Sequence, residues 1–308
     1  MEGTSPIKLN PYQSEIVKYP DSCVVVAGPG SGKTRVLTSK AEYLAKSGKD
    51  VICLTFTRAA AEEIRVRIAE VRSQTIHSFC YSEVGWKGNY EKLLFSYLGK
   101  GYRTKFEWVL VDEVQDLTEE ELDIVLSLVG EKLFAVGDPF QSIYGWNGAL
   151  GIKVFKRLQQ HKLFPLLSNY RSSSKIVDRL NSIYPRGLVS EGVKTTGLTA
   201  ILTRTNKALE EVRAELSRKG IGYTIHRGSA VEGEEKEEVC GSESLRIMTC
   251  HCSKGLEFDN VILYDWKPIP YWGEEKNIYY VAVARASKNF CEVYDLEALG
   301  RALNTIPK

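Results

Sequence analysis

The run Ala27-Gly28-Pro29-Gly30-Ser31-Gly32-Lys33-Thr34 follows an apolar stretch and opens a helical pattern. Glycines there let backbone N–H groups crowd around phosphates, and the N-terminus of the following helix adds positive potential. Lys33 can then reach the β- and γ-phosphates of a nucleotide, while the Thr34 hydroxyl can ligate magnesium. The general phosphate-loop pattern has glycine where Ala27 stands, so a purely structural glycine-rich turn is the competing reading. A second run, Val109-Leu110-Val111-Asp112-Glu113, ends an apolar strand in two carboxylates, which a buried strand end tolerates poorly unless they hold something. Asp112 suits a magnesium shell and Glu113 suits polarising an attacking water. Alone, such a pair is more often part of a solvated loop; beside the phosphate loop it becomes a hydrolase site.

Parallel strands with loops at their carboxyl ends would position such groups. Strand-like runs occur at 22–27, 51–57, 108–112 and 133–137, and a second set at 163–167, 198–203, 245–249, 261–264 and 290–294. Helical patterns at 33–45, 58–71, 173–183 and 206–219 lie between them. This alternation predicts an α/β fold with mostly parallel sheets covered by helices on both faces. The sequence divides into domains 1–162 and 163–308. Residues 228–244 are rich in Gly, Ser and Glu and read as a mobile solvated loop.

At 308 residues the chain can bury two ordinary cores, and 43% hydrophobic with 26% charged residues describes a soluble globular protein. No stretch has the apolar length of a bilayer span, and residues 1–10 lack the core of a signal peptide. Seven scattered cysteines without a C-x-x-C pair fit a reducing compartment, and Cys250-His251-Cys252 has no second ligand cluster to make a zinc site. With 41 Lys+Arg against 39 Asp+Glu, any grip on nucleic acid must be local.

In chain order, the runs from Leu9 to about Phe290 resemble the UvrD/Rep/PcrA-like superfamily 1 helicases. Asn10-Pro11-Tyr12-Gln13 looks like the adenine-reading segment, with Gln13 in the base-contacting place. Ala27 to Thr34 is similar to this family's own phosphate loop, which accounts for Ala27 and implies nucleotide contacts from Gly28, Gly30, Ser31, Gly32 and Arg35 besides Lys33 and Thr34. Leu54-Thr55-Phe56-Thr57-Arg58 and Thr75-Ile76-His77-Ser78-Phe79 resemble its first strand-contacting motifs. Asp112-Glu113-Val114-Gln115-Asp116 matches its acidic motif, with Val114 where phenylalanine is more usual. In the long run from Val136 to Ala149, the resemblance implies that Gln141 senses the γ-phosphate and that Tyr144 and Trp146 meet bases. It likewise implies that Tyr170 stacks on adenine, Arg171 contacts the γ-phosphate, His251 and Lys254 lie near the strand, Glu257 binds the ribose, and Arg285 is the arginine finger.

The resemblance thus implies two tandem RecA-like P-loop domains that hydrolyse ATP with Mg2+ at their interface. They would act as a DNA-stimulated ATPase and translocate 3′-to-5′ on single-stranded DNA in DNA repair. Stacking and phosphate contacts do not distinguish DNA from RNA. For Phe56, core packing is as good a reading as stacking, whereas Tyr144 and Trp146 sit in a polar, glycine-rich loop that favours contact with bases. Arg58, His77 and Lys254 are candidate phosphate or strand contacts, against the plainer reading of a solvated face or a packed loop. Two intervals where the family carries accessory insertions, 81–106 and 231–244, are short here. Unwinding would then need a protein partner supplying a wedge or a nuclease; a nucleotide-gated clamp is the reading from a different class. The expected location is the cytoplasm, in the nucleoid of a bacterium or inside a host cell, with no membrane partner.

Overall fold

The structure is a computed structural model, and it describes residues 9–85, 92–101, 104–228, 236–270 and 273–305. These divide into two compact units, one of residues 1–28 and 32–166, the other of Pro29–Ser31 and Leu167–Lys308.

The first unit runs α1 (Pro11–Lys18), β1 (Cys23–Ala27), α2 (Lys33–Lys46), β2 (Val51–Thr55), α3 (Arg58–Arg67), β3 (Arg72–Thr75) and α4 (Ile76–Val84). It continues through α5 (Leu93–Gly99), β4 (Phe106–Val111), α6 (Glu119–Leu128), β5 (Val129–Gly137), α7 (Ile152–Arg157) and β6 (Lys162–Leu166). The strands form one sheet in the order β3-β2-β4-β5-β1-β6, and every pairing in it is parallel. The near-continuous apolar composition of β1, β2 and β4 follows from burial on both faces. Alternate residues of each strand go to opposite layers: Ile52, Leu54, Val109 and Val111 pack with α4, α5, α6 and α7. Val51, Cys53, Trp108 and Leu110 pack with α1, α2 and α3.

Threonines set where several helices begin. Thr57, Thr75 and Thr118 each cap the helix that follows, accepting from the backbone N–H of Ala60, Ser78 and Glu121. Each cap satisfies one of the donors a helix start leaves unpaired. The functional groups are therefore placed on short, fixed turns between strand ends and helix starts.

The second unit runs β7 (Ser168–Asn169), α8 (Ser174–Ile183), β8 (Val189–Ser190), β9 (Thr199–Thr203), α9 (Asn206–Arg218), β10 (Tyr223–Arg227) and β11 (Lys236–Thr249). It closes with β12 (Phe258–Tyr264), α10 (Glu275–Ala284), β13 (Ala286–Val293) and α11 (Leu296–Thr305). Its main sheet has the order β10-β11-β9-β12-β13, parallel except where β10 meets β11. One face packs on α9 and α11 through Ile201, Ile262, Val212, Leu216 and Leu299. On the other, α10 meets β12 and β13, and α8 meets β13.

The α/β fold with mostly parallel, helix-covered sheets agrees with the sequence, but three readings change. Residues 163–167 do not open the second sheet: β6 pairs with β1, so the first unit extends to Leu166 rather than 162. The helix expected over 58–71 stops at Arg67, where Ile68 turns out of helical geometry, and the polar strand β3 follows. Within the glutamate-rich segment, 229–235 lie outside the described residues, but Lys236 onward is strand rather than mobile loop. Thr224 and Ile225 of β10 face Val239 and Glu238 on one side and Arg246 and Ile247 on the other. Among the described residues no helix is long and apolar enough to cross a membrane.

Lys40 of α2 is fully buried, with its ammonium 4.2 Å from the Trp108 ring centre and 5.6 Å from that of Phe134. It donates to the Tyr19 carbonyl at 2.6 Å. Burial pushes its pKa down from 10.5 to about 8. The folded chain therefore binds fewer protons than the unfolded chain between those values. The penalty for the buried ammonium is complete below about 8 and is relieved as the pH rises towards 10.5. Relative to Lys40→Met, the wild type should gain up to about 3 kcal/mol of unfolding free energy across that window, read by urea denaturation at each pH. Parallel pH profiles for the two proteins would refute this.

Candidate functional site

The phosphate loop leaves β1 and enters α2 through two glycines in left-handed backbone, Gly30 at φ 65° and Gly32 at φ 84°. Any side chain there is strained. Space forbids it as well: a Cβ on Gly30 would lie 2.7 Å from the Arg171 Cβ and 2.9 Å from the Asn169 Oδ1. A Cβ on Gly32 would come within 3.2 Å of the Gln13 amide nitrogen. Gln13 is buried and held by a capping box at the start of α1. The Asn10 side chain accepts from the Gln13 N–H at 2.6 Å, and the Gln13 amide oxygen accepts from the Asn10 N–H at 3.1 Å. This fixes the amide against the loop beside Gly32. Arg35 lies in the first turn of α2, half-buried, and Ser31 is buried.

Strand β4 delivers Asp112 and Glu113. Asp112 is buried, and burial together with the neighbouring Glu113 charge raises its carboxyl pKa, against the pull of Lys33. Glu113 adopts φ 49°, a left-handed geometry unusual outside glycine, which turns the chain so that its carboxylate comes within 4.0 Å of the Lys33 ammonium. Gln115 carries this arrangement onward. Its amide nitrogen donates to Glu113 at 2.6 Å and its amide oxygen accepts from the Asp138 N–H at 2.9 Å. The Asp138 carboxylate accepts from the Gln141 amide at 2.8 Å. A continuous path therefore joins Glu113 to Gln141. Gly137 makes it feasible, since a Cβ there would stand 2.5 Å from the Gln115 oxygen and 2.8 Å from a Val114 methyl. Gln115, Gly137 and Asp138 lay inside recognised runs without an assigned role; their proximity depends on the β4–β5 register, which local spacing does not reveal.

In the second unit, Asn169 is buried and organises the turn that carries Tyr170 and Arg171. Its amide donates to the Pro29 carbonyl at 2.9 Å and accepts from the N–H groups of Arg171 and Ser172 at 2.9 and 2.7 Å. The Tyr170 N–H donates to the Gly30 carbonyl at 2.9 Å. Arg171 donates to Glu257 at 2.6 Å and to the Ala284 carbonyl at 3.2 Å. Burial alone would raise the Glu257 pKa, but Arg171 and then Lys194 outweigh it and hold the carboxylate below its ordinary value. Arg285 is buried at the end of α10, donating to the carbonyls of Val281 and Leu256. Asn169 belongs to the run Asn169-Tyr170-Arg171-Ser172 that the resemblance picks out, without an assigned role, and Lys194 has no signal in the sequence.

The aromatic residues separate into support and surface. Tyr144, expected to meet bases, is 1% exposed and stacks on Phe56 at 5.4 Å with an interplanar angle of 21°. Trp146 is 48% exposed and meets Tyr144 edge-on at 6.4 Å. Thr57 uses its hydroxyl to cap α3, and Arg58 is exposed at that helix's first position. The His77 Nδ1 lies 3.3 Å from a Glu121 carboxylate oxygen, and burial lowers the imidazole pKa. His251 and Lys254 are half-buried in the turn after β11.

Two families match the chain: the AAA domain over residues 13–147 and the UvrD-like helicase C-terminal domain over residues 225–294. The chain is 26% identical over 258 residues to a probable DNA helicase of Mycoplasma pneumoniae, covering 66% of this chain and 45% of that protein. It is 24% identical over 288 residues to the ATP-dependent DNA helicase Rep of Escherichia coli, covering 57% and 43%. These matches make the chain similar to the UvrD-like superfamily 1 helicases. It spans less than half the length of those two relatives. In fold it is similar to the crystal structure of Pif1 helicase from Candida albicans, with a TM-score of 0.57 at 14% identity, over 98% of this chain and 100% of that one. This supports a RecA-like architecture for both units.

Within this family framework, the donors at the loop suit magnesium. A buried carboxylate, Asp112, and a hydroxyl on Thr34 are hard oxygen ligands, and magnesium takes few protein ligands beside phosphate and water. No cluster of three His, Cys, Asp or Glu side chains that could hold a metal occurs among the described residues, Cys250 and Cys252 included. The Gly137 constraint can be checked directly. Gly137→Ala should cost about 1–3 kcal/mol in denaturant unfolding by overpacking against Gln115, whereas Gly99→Ala, in open space at the end of α5, should be close to neutral. Equal effects at the two positions would remove Gly137 from the network.

Proposed function

We propose that this chain is an ATP-driven motor on single-stranded DNA, a DNA-stimulated ATPase with the 3′-to-5′ direction its family resemblance implies. The observation that carries the reading is the set Lys33, at the start of α2 after β1, and Glu113, Gln115, Asp138 and Gln141, beyond the carboxyl ends of β4 and β5. A nucleotide-gated clamp that need not hydrolyse would have little use for a positioned carboxylate joined to a γ-phosphate sensor.

In the proposed cycle, Gln13 and Tyr170 hold the adenine, the loop from Gly28 to Thr34 cradles the phosphates, and Lys33 draws negative charge off the β- and γ-oxygens. Magnesium held by Thr34 and Asp112 would neutralise further charge on the same oxygens. Glu113 orients a water for in-line attack and takes its proton as the bond to the γ-phosphorus forms and the bond from that phosphorus to the β,γ-bridging oxygen breaks, the oxygen leaving on ADP. Gln141, Arg171 and Arg285 stabilise charge on the transferred group. Because these groups come from both units, hydrolysis depends on closure, and product release reverses it; each turnover becomes a stroke along the strand. Trp146 offers a stacking face, and Arg58, His77, His251 and Lys254 supply polar contacts to the backbone.

The intervals 81–106 and 231–244, where the family carries accessory insertions, are short. This favours a partner protein for duplex unwinding, with translocation residing in this chain.

The test is steady-state ATP hydrolysis with and without single-stranded DNA, and with RNA, at low and moderate salt. Strong stimulation that fades with salt is expected. Glu113→Gln should lower turnover by about 10²–10⁴ while ATP still binds, and Lys33→Ala should abolish it. Trp146→Ala should weaken strand affinity by about 1–3 kcal/mol while sparing strand-free hydrolysis. Strand-independent turnover in the wild type would leave the clamp as the better reading.

A further inference from the structure

Between α8 and β9 the chain runs back along residues 169–171 as a strap. Strand β8 pairs with β7, and the N–H groups of Glu191 and Lys194 donate to the carbonyls of Asn169 and Arg171 at 2.7 and 2.8 Å. Further along, the N–H groups of Thr196 and Gly197 donate to the two Asp259 carboxylate oxygens at 2.6 and 3.2 Å. Lys288 holds that same carboxylate at 2.8 Å. The strap is thus anchored to the Arg171 turn at one end and to β12 at the other, with Lys194 between the anchors.

From this fixed backbone the Lys194 ammonium donates to the Glu257 Oε2 at 2.6 Å, while Arg171 donates to the Glu257 Oε1 at 2.6 Å. Each carboxylate oxygen therefore has its own cation. The Arg171 fork is committed to Glu257 and the Ala284 carbonyl, and its Nε is buried without a hydrogen-bond partner. An arginine so arranged is poised to exchange one partner for another. In the nucleotide cycle proposed above, Arg171 turns to the γ-phosphate, and the family resemblance implies that Glu257 turns to the ribose. The departure of Arg171 frees Oε1, whose lone pairs suit two sugar hydroxyls. Lys194 then remains on Oε2 and keeps the carboxylate in place.

We propose that Lys194 is a positioning residue that steadies the Glu257 carboxylate against the sugar of the bound nucleotide, and so sets the preference for ribonucleotides over their deoxy forms. The proposal rests on the reading of Glu257 as the ribose contact. The Lys194 side chain is 63% exposed, so its ion pair adds little to folding stability and Lys194→Met should fold normally.

The experiment compares ATP, 2′-deoxyATP and 3′-deoxyATP in steady-state hydrolysis with single-stranded DNA, and by calorimetric binding titration. The proteins are the wild type, Lys194→Met, Lys194→Arg and Glu257→Gln. In Lys194→Met the KM for ATP should rise about two- to fivefold, with kcat and the KM for at least one deoxy nucleotide unchanged, and Lys194→Arg should recover the wild-type ratio. An equal shift for all three nucleotides, or none, while Glu257→Gln loses the preference, would overturn the role of Lys194 alone. If Glu257→Gln keeps the wild-type preference, or the wild type has none, the ribose reading of Glu257 falls and takes the proposal with it.

Discussion

A carboxylate at the buried end of an apolar strand has to be compensated, and most of the first unit can be understood as the means of compensating Asp112. Strand β4 gives its side chains alternately to two core layers, so its carboxyl end emerges among helix starts and loop turns rather than in bulk water. Asp112 accepts the N–H of Glu113 at 2.9 Å, and the left-handed turn at Glu113 follows immediately. That turn carries cost, since an L residue with a side chain rarely occupies it. It persists because Lys33 and Gln115 hold the Glu113 side chain from two directions. The strain, the buried charge and the bare backbone at Gly137 belong to one arrangement.

The second unit meets the same requirement differently. Its cationic groups are stored on acceptors of their own unit: Arg171 on Glu257 and the Ala284 carbonyl, Arg285 on the carbonyls of Leu256 and Val281. A buried guanidinium without such acceptors would be strongly destabilising. A phosphate that draws Arg171 away must replace the interactions it breaks, so the net gain from this contact is smaller than its electrostatics suggest. The advantage is selectivity, because a ligand that offers no anion in the right place gains nothing from opening the pair. Asn169 matters for the same reason: by holding the Pro29 carbonyl and the N–H groups of Arg171 and Ser172, it fixes the guanidinium's point of departure.

Elements with an apolar run facing both layers are legible in the sequence alone: β1, β2, β4, β5, β9 and β12 each contain one, such as Val109–Val111 and Val261–Leu263. Strand β3 is not, because Arg-Ser-Gln-Thr has no apolar signature and becomes strand only by pairing with β2. The run at 163–167 was recognised as strand but placed in the wrong sheet. Its partner β1 lies far back in the chain, and no local pattern encodes that pairing. The glutamates at 237 and 238 have the composition of a solvated loop, yet β10 offers them backbone partners and they extend a sheet. Lys40 reads as the polar face of a helix until Trp108 and Phe134 close over it. The phosphate loop and acidic pair were legible because their chemistry is local in sequence. The role of Gln115 was not, because it arises where two loops meet.

Tyr144 is packed where the composition of its loop suggests exposure. A glycine-rich loop suggests exposure, but Ile143 beside it is fully buried and the Tyr144 ring lies flat on Phe56. The exposed Trp146 therefore stands edge-on to a packed pair of rings rather than on a bare loop. A stacking face held this way loses less conformational entropy on meeting a base than a free side chain would. The same loop is tied back to the Glu113 side chain through Gln115. The backbone carbonyl of Gln115 accepts from the Gly151 N–H at 3.0 Å and the Ser142 hydroxyl at 3.4 Å, while its side chain spans Glu113 and Asp138. Residues 142–151 thus cannot shift far without moving the group that orients Glu113. In the reading proposed above, that is a contiguous physical route by which the state of a γ-phosphate at Gln141 would bear on the exposed Trp146 ring.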